Sequence, residues 1–151
     1  MIWRDTLRYL EIMLLAMLPL TELRGAIPIG IAMDLNPIAV YVASVIGSTI
    51  VSIPLILTFR HILNFFRSVD MFLPLVKKVD SKIETGMKRL KSISILGIIL
   101  FVGIPLPTTG TWTAAVIASI LKIRIKTSLL GVLIGNMMSG IIISLISLHI
   151  I

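Results

Sequence analysis

The segment from Pro19 to Pro28, called the first break here, constrains the fold more than any other part of the chain. It reads P-L-T-E-L-R-G-A-I-P and places a carboxylate, a guanidinium, a glycine and two prolines inside a long apolar region. Proline and glycine both disfavour the interior of a helix, so a plain spanning helix is not expected. A charge at the bilayer centre costs about 2.5–3.5 kcal/mol, which suggests that Glu22 and Arg24 have a function. A simple ion pair between them is the alternative.

The composition is typical of an integral membrane protein. Hydrophobic residues make up 57% of the chain, charged residues 14%, and the mean hydropathy is +1.08. These values lie outside the range of soluble domains, and 151 residues suggest a single domain. Because the N-terminal apolar run lacks a small-residue cleavage site, we expect it to be retained. The chain has no cysteine, and we expect its net charge of +7 to face the membrane rather than nucleic acid.

Two apolar runs predict membrane spans, Ile38 to Phe59 and Thr127 to Ile151. At 1.5 Å per residue, each is long enough to cross a hydrocarbon core of about 30 Å. Each run carries small residues four positions apart, which allow helices to approach closely. We predict that these small-residue faces pack against each other. The residues are Ala43 and Gly47 in the first span, and Gly131 and Gly135 in the second.

The region between the spans, residues 61–92, is rich in lysine and arginine. Its apolar residues recur at spacings of three and four, which predicts an amphipathic helix on the membrane surface. A solvated connecting helix without lipid contact is the alternative. The apolar stripe consists of Val76, Val79, Ile83, Met87 and Leu90.

A second break, Ile104 to Thr113, repeats the character of the first and reads I-P-L-P-T-T-G-T-W-T. Pro19 aligns with Pro105, and Gly47 aligns with Gly135. The spacing from the proline to the glycine is two residues longer in the second half than in the first. The order of features therefore predicts an internal repeat within one membrane domain. Its parts are repeat 1 (about 6–60), the amphipathic connector (about 61–92) and repeat 2 (about 93–151).

Each broken region is long enough either to cross the bilayer once or to enter and return as a re-entrant hairpin. Prolines at both ends of each break favour hairpins. The fold class is then an all-α integral membrane protein with an inverted repeat, each unit being a re-entrant helical hairpin plus a transmembrane helix. All Lys and Arg except Arg4, Arg8 and Arg24 lie in residues 60–92 and 122–126. The positive-inside rule places that face in the cytoplasm and both termini outside, in a multi-pass protein of the cell membrane.

The two breaks are the predicted binding site. Helices that begin near Gly25 and Thr111 would direct their N-terminal amides into the membrane, where these amides and Arg24 favour an anion. Glu22 is the candidate proton-coupling residue. The candidate substrate- or ion-binding residues are Glu22, Arg24, Gly25, Pro28, Pro105, Pro107, Thr108, Thr109, Gly110 and Thr111.

The motifs E-L-R-G-A-I-P from Glu22 and P-L-P-T-T-G-T-W-T-A from Pro105 resemble the two signatures of the small multidrug export family of prokaryotic membrane proteins. The resemblance covers nearly the whole chain, and that family is similar to the DedA/VTT superfamily. It implies two inward-facing re-entrant hairpins, each followed by a span, with transport or lipid translocation as the activity. Thr109 and Thr111 stand where the resemblance predicts Gly and Ala, and Ala115 stands where it predicts Gly.

Three functions are compatible with these features. The first is a proton- or ion-coupled secondary carrier that exports a small drug-like or anionic molecule. The second is a translocator, either a flippase or a scramblase, of an anionic lipid such as a polyprenyl phosphate or a phospholipid. The third is a structural membrane subunit. An enzyme is not expected, since no nucleophile and base pair, metal cluster or cofactor motif is present. The expected partners are the bilayer, protons or small ions, and a small-molecule or lipid substrate, with homo-oligomerisation left open.

Overall fold

The computed structural model describes residues 2–68, 93–106 and 110–150, together with positions 74, 77 and 81. This part of the chain contains helices and no strand, which confirms the all-α class. Two of the helices, α3 and α6, are long and apolar enough to span a membrane. The helices are α1 (Ile2–Met17), α2 (Glu22–Ala32), α3 (Pro37–Arg67), α4 (Ile93–Gly103), α5 (Thr111–Ile120) and α6 (Ile125–Ile150).

Helix α3 begins at a clear sequence signal and ends later than expected. Asn36 caps it, since its Oδ1 accepts hydrogen bonds from the amides of Ile38 at 3.0 Å and Ala39 at 3.3 Å. The helix continues to Arg67 and so includes the first residues of the predicted connector. No proline or glycine follows Phe59 in this helix, so the change from apolar to basic sequence does not end it. Except for positions 74, 77 and 81, which are helical, residues 69–92 lie outside the described part of the chain.

The small residues of the spans lie where other helices approach closely, but their neighbours differ from those expected. A Cβ added at Gly131 would lie 2.8 Å from Ile98 Cγ2, and one at Gly135 would lie 2.7 Å from Val102 Cβ. In the first half, a Cβ at Gly47 would meet the backbone of Met13 in α1. The nearest described atoms therefore belong to α1 and α4 rather than to the opposite span. Each glycine lets the first helix of its own half pack against the span.

The direction of each helix pair follows from these contacts. Along α4 and α6 the contacts advance together, so the two helices run in the same direction. In the first half, the Tyr9 hydroxyl accepts from the Asn36 amide at 3.3 Å, and Met13 lies against Gly47. Helices α1 and α3 therefore also run in the same direction.

The two spans run in opposite directions. Near the start of α3, the ring of Tyr41 lies against Gly140, late in α6. Further along α3, Thr49 Oγ1 accepts a hydrogen bond at 3.1 Å from Asn136 Nδ2. Asn136 lies earlier in α6 than Gly140. The contacting residues therefore have increasing residue numbers along α3 and decreasing residue numbers along α6.

Helices α2 and α5 each end in a turn of the same type. The turns contain residues with a positive φ that are not glycine, Asp34 at 57° and Lys122 at 53°. In each turn the next amide donates to the carbonyl five residues earlier, Leu35 to Gly30 at 3.2 Å and Ile123 to Ala118 at 3.0 Å. This pattern is a Schellman-type helix ending. The two turns are separated along the chain by the same number of residues as Gly47 and Gly135.

Apolar packing is divided between the two halves. One cluster of buried residues joins α1, α2 and the start of α3, and includes Ile12, Leu23 and Ile27. The other joins α4, α5 and α6, and includes Val102 and Val132. Hydrogen bonds between the two breaks join these halves.

Candidate functional site

Glu22 lies at the point where the two breaks meet. It is the first residue of α2 and is only 7% exposed. Its Oε1 accepts a hydrogen bond from the backbone amide of Trp112 at 3.3 Å, and the Thr111 amide also interacts with the carboxylate. These are the first amides of α5, which have no partner within their own helix. A carboxylate from one half of the protein therefore caps a helix of the other half, where the helix dipole favours negative charge.

Gly110 makes this contact possible. It is the N-cap residue of α5, and it has no side chain with which to cap the helix itself. A Cβ at this position would overlap the Glu22 carboxylate. The backbone there is extended, with φ −137° and ψ −176°, so a larger residue is excluded by the close approach and not by the backbone conformation.

Arg24 binds the opposite end of the second break. Its Nη1 donates to the carbonyl of Leu106, and its Nη2 reaches the carbonyl of Ile104 at 3.5 Å. Both carbonyls follow the C-terminus of α4 at Gly103, the end of a helix that favours positive charge. The acid and the base of the first break thus bind the backbone at the two ends of the second break.

This arrangement corrects two expectations about the first break. The charges of Glu22 and Arg24 act on each other, as the ion-pair alternative requires, but both side chains also bind the second break. Helix α2 begins at Glu22 rather than near Gly25, since the amide of Gly25 already donates to the carbonyl of Thr21 at 2.7 Å. A Cβ at Gly25 would lie 3.1 Å from Thr21 Cβ, so this glycine packs within its own break. The anion at the start of α5 is supplied by the chain itself.

A buried chain of hydrogen bonds joins α5 to both spans. Thr111 Oγ1 lies 2.8 Å from Ser48 Oγ and donates to Asn136 Oδ1 at 3.1 Å. The Asn136 amide group continues the chain to Thr49 in α3. Ser48, Thr111 and Asn136 are fully buried. Sequence reasoning missed Asn136, although an amide in the middle of an apolar span is a recognisable signal.

Trp112 is a second residue that sequence reasoning did not single out. Its backbone amide binds Glu22, and its indole Nε1 donates to the carbonyl of Met17 at 3.1 Å. Met17 is the last residue of α1. One tryptophan therefore contacts both the first break and the end of the helix before it.

A cavity of about 320 Å³ lies beside Arg24. Three residues of its wall belong to the two breaks, Arg24 and Pro28 to the first and Pro105 to the second. The remaining described residues come from the last turns of α6, namely Ile143, Ile146, Ser147 and Ile150. The predicted site residues therefore fall into two groups, with Glu22, Gly110 and Thr111 at the junction and Arg24, Pro28 and Pro105 at the cavity.

Three of the predicted site residues, Pro107, Thr108 and Thr109, lie outside the described part of the chain. Within the described ranges, no group of three or more His, Cys, Asp or Glu residues could hold a metal ion.

The fold and this junction define an all-helical membrane protein with two interrupted regions in contact. A sequence model of the family described as "Putative small multi-drug export protein" matches residues 22–142. The match covers most of the chain, and the chain belongs to this family, as its two motifs indicated. The family description names export, which indicates a transporter rather than an enzyme. No curated protein and no solved structure matches the chain.

Proposed function

We propose that this protein is a secondary carrier that exports small molecules in exchange for protons or small ions, with Glu22 as the coupling residue. The observation that carries the proposal is the position of the Glu22 carboxylate on the first amides of α5. A titratable group that joins two interrupted regions links proton binding to their separation. Arg24 and the cavity beside it form the substrate site.

Protonation of Glu22 would weaken this junction. A hydrogen bond to a charged group contributes about 1.5–3 kcal/mol, more than one between neutral groups. A neutral carboxyl group also loses its favourable interaction with the helix dipole. Since about 1.4 kcal/mol corresponds to a tenfold change in an equilibrium, protonation would shift the balance between joined and separated breaks by about tenfold or more. A shift of this size is sufficient to couple a proton to a conformational step.

We further propose that the two broken regions are re-entrant hairpins related by an inverted repeat. If α4 and α5 together crossed the membrane once, α6 would return antiparallel to α4. The contacts of Gly131 and Gly135 with α4 instead support a reversal between α4 and α6. The opposite directions of the spans and the matching turns at Asp34 and Lys122 support the inversion. Repeats of this kind bind substrates where interrupted helices meet.

The charge distribution supports a topology for this arrangement. Residues 60–92 and 122–126 would share one face and would lie in the cytoplasm by the positive-inside rule, with both termini outside. The protein would then be a multi-pass protein of the cell membrane. The amphipathic surface helix within residues 61–92 stays a prediction.

Replacing Glu22 by Gln tests the coupling role. The amide retains the shape of the side chain but cannot titrate, so transport should lose its pH dependence and its coupling to a proton gradient. Uptake of a drug-like substrate into sealed vesicles, with and without the gradient, measures both. Glu11→Gln is the matched control, since Glu11 is an exposed acid on α1. Proton coupling that survives Glu22→Gln at full strength would contradict the proposal.

A lipid translocator is the second candidate, and the outer wall of the cavity favours it. Ile146 and Ile150 are 50% and 78% exposed, so the cavity adjoins apolar surface that would face lipid tails. In this case Arg24 should be needed, whereas Glu22→Gln should have little effect. Arg24→Lys should also fail, because an ammonium group cannot make two planar contacts at once. If both variants retain full activity, the breaks serve only to hold the fold together.

A further inference from the structure

We infer that the cavity beside Arg24 binds a small organic anion with an apolar body, and that it rejects cations of the same size. This inference deepens the proposed function by naming the class of substrate. The binding itself does not depend on whether transport is coupled to protons.

The charge of the cavity wall comes from Arg24. It is the only charged residue among the described residues that line the cavity. The carbonyls of Leu106 and Ile104 hold the guanidinium in position beside the cavity. The Glu22 carboxylate acts on Arg24 as well, but its hydrogen bonds go to the amides at the start of α5 and not to the guanidinium face that lines the cavity. An anion in the cavity would therefore meet a fixed positive charge, and charge-assisted contacts of this kind are stronger than neutral ones.

The rest of the wall suits an apolar group. Ile143, Ile146 and Ile150 lie three and four positions apart, so they form one face of α6. The prolines Pro28 and Pro105 form part of the wall near Arg24, and Ser147 adds a single hydroxyl. An apolar wall lowers the local dielectric constant, which strengthens the interaction between Arg24 and an anion.

The volume of the cavity limits the size of the ligand. At about 320 Å³ it lies near the lower end of the range for ligand pockets, about 300–1,000 Å³. This space can hold a compact aromatic carboxylate or sulfonate whole, whereas the two acyl chains of a lipid would have to lie outside it. A compact aromatic anion is therefore the occupant that both the charge and the volume favour.

Equilibrium dialysis of the purified full-length chain in detergent tests the inference directly. The anionic probe is naphthalene-2-sulfonate, and N-methylquinolinium is a cation with the same ring system. We expect the anion to bind at one site and the cation to bind at least about tenfold more weakly, as expected for loss of a charge-assisted contact. Equal binding of the two probes, or no binding of the sulfonate, would overturn the inference.

Two variants locate the binding site. Arg24→Gln should weaken sulfonate binding by about ten- to hundredfold. Because Arg24 also holds the backbone after α4, a second variant, Ile146→Trp, fills the cavity and leaves the guanidinium in place. It should also abolish binding, while Ile142→Trp, at an exposed position on the same helix, should not. Unchanged binding in Ile146→Trp would show that the sulfonate binds elsewhere.

A competition experiment separates a soluble anion from a lipid. Phosphatidylglycerol added to the dialysis at equal concentration should leave sulfonate binding unchanged, and displacement by the lipid would refute the small-molecule assignment. The outcome is also independent of the coupling proposal. Sulfonate binding together with pH-independent transport would retain the cavity assignment and refute the role of Glu22. Proton-coupled transport without sulfonate binding would do the reverse.

Discussion

The close contact between α4 and α6 makes opposite predictions for two glycines when each is replaced by alanine. Gly135 lies in α6, where an added Cβ would be 2.7 Å from Val102 Cβ and 3.1 Å from the carbonyl oxygen of Ile99. Gly97 lies in α4, where no described atom is within 4 Å of the added Cβ. The same chemical change is therefore made once in a tight contact and once in open space.

The expected magnitudes follow from this geometry. Glycine in a helix interior lowers the free energy of unfolding by about 0.5–1 kcal/mol relative to alanine, so Gly97→Ala should raise it by this amount. The same gain applies to Gly135→Ala, but overpacking of a tight contact costs about 1–3 kcal/mol. Val102 Cβ is close to its own backbone and cannot rotate away, so α4 and α6 must separate. Gly135→Ala should therefore be less stable than Gly97→Ala by about 1–3 kcal/mol.

Thermal unfolding of the two variants in the same detergent measures the difference. For a chain of this size, 1 kcal/mol corresponds to about 2–4 °C in Tm, so Gly135→Ala should unfold at least about 2 °C below Gly97→Ala. Gly47→Ala provides a parallel test in the first half, where the added Cβ would meet the backbone of Met13. If Gly135→Ala is as stable as Gly97→Ala, the two helices are not in close contact and the argument fails.

Two further predictions concern the polar junction and the topology. Asn136→Leu should destabilise the protein by about 1–3 kcal/mol in the same assay, because the buried Thr111 hydroxyl and the half-buried Thr49 hydroxyl each lose a hydrogen bond, whereas Met137→Leu at an exposed position should not. Equal stability of these two variants would show that the amide is dispensable. Single cysteines at Thr6 and Asn36 should react with a membrane-impermeant reagent from the same side, and one at Ser81 from the other. Reaction of Thr6 and Asn36 from opposite sides would exclude a re-entrant first region.

Several features of the site could be read directly from the sequence. The charges of the first break stand out because nothing else in that apolar region is ionisable, and the structure places both of them at the contact between the breaks. The turn residues of the second break predict Gly110 and Thr111 as site residues, and both lie at that contact. Local composition is sufficient to identify these residues, since a charge or a helix break in an apolar segment raises the free energy of membrane insertion. Such a feature is therefore expected to have a function.

The partners of these residues could not be read in the same way. Glu22 binds the amide of Trp112, and Arg24 binds the carbonyls after α4. These contacts join residues that are far apart in the chain. Asn136 shows the same limit. An amide within an apolar span indicates a helix contact, but its partners Thr111 and Thr49 are fixed only by the packing of the helices.

The membrane class, the two candidate spans and the positions of the two breaks follow from the amino-acid sequence alone, because these depend on transfer free energies and backbone preferences that act locally. The neighbours of the glycines in the spans follow only from how the helices pack. Small residues permit close approach by any helix, so Gly47 and Gly135 could not indicate that their neighbours are α1 and α4 rather than each other. The binding of the first amides of α5 by Glu22 likewise follows only from helix packing. A helix terminus attracts any anion, and only the packing of the two halves determines which one reaches it.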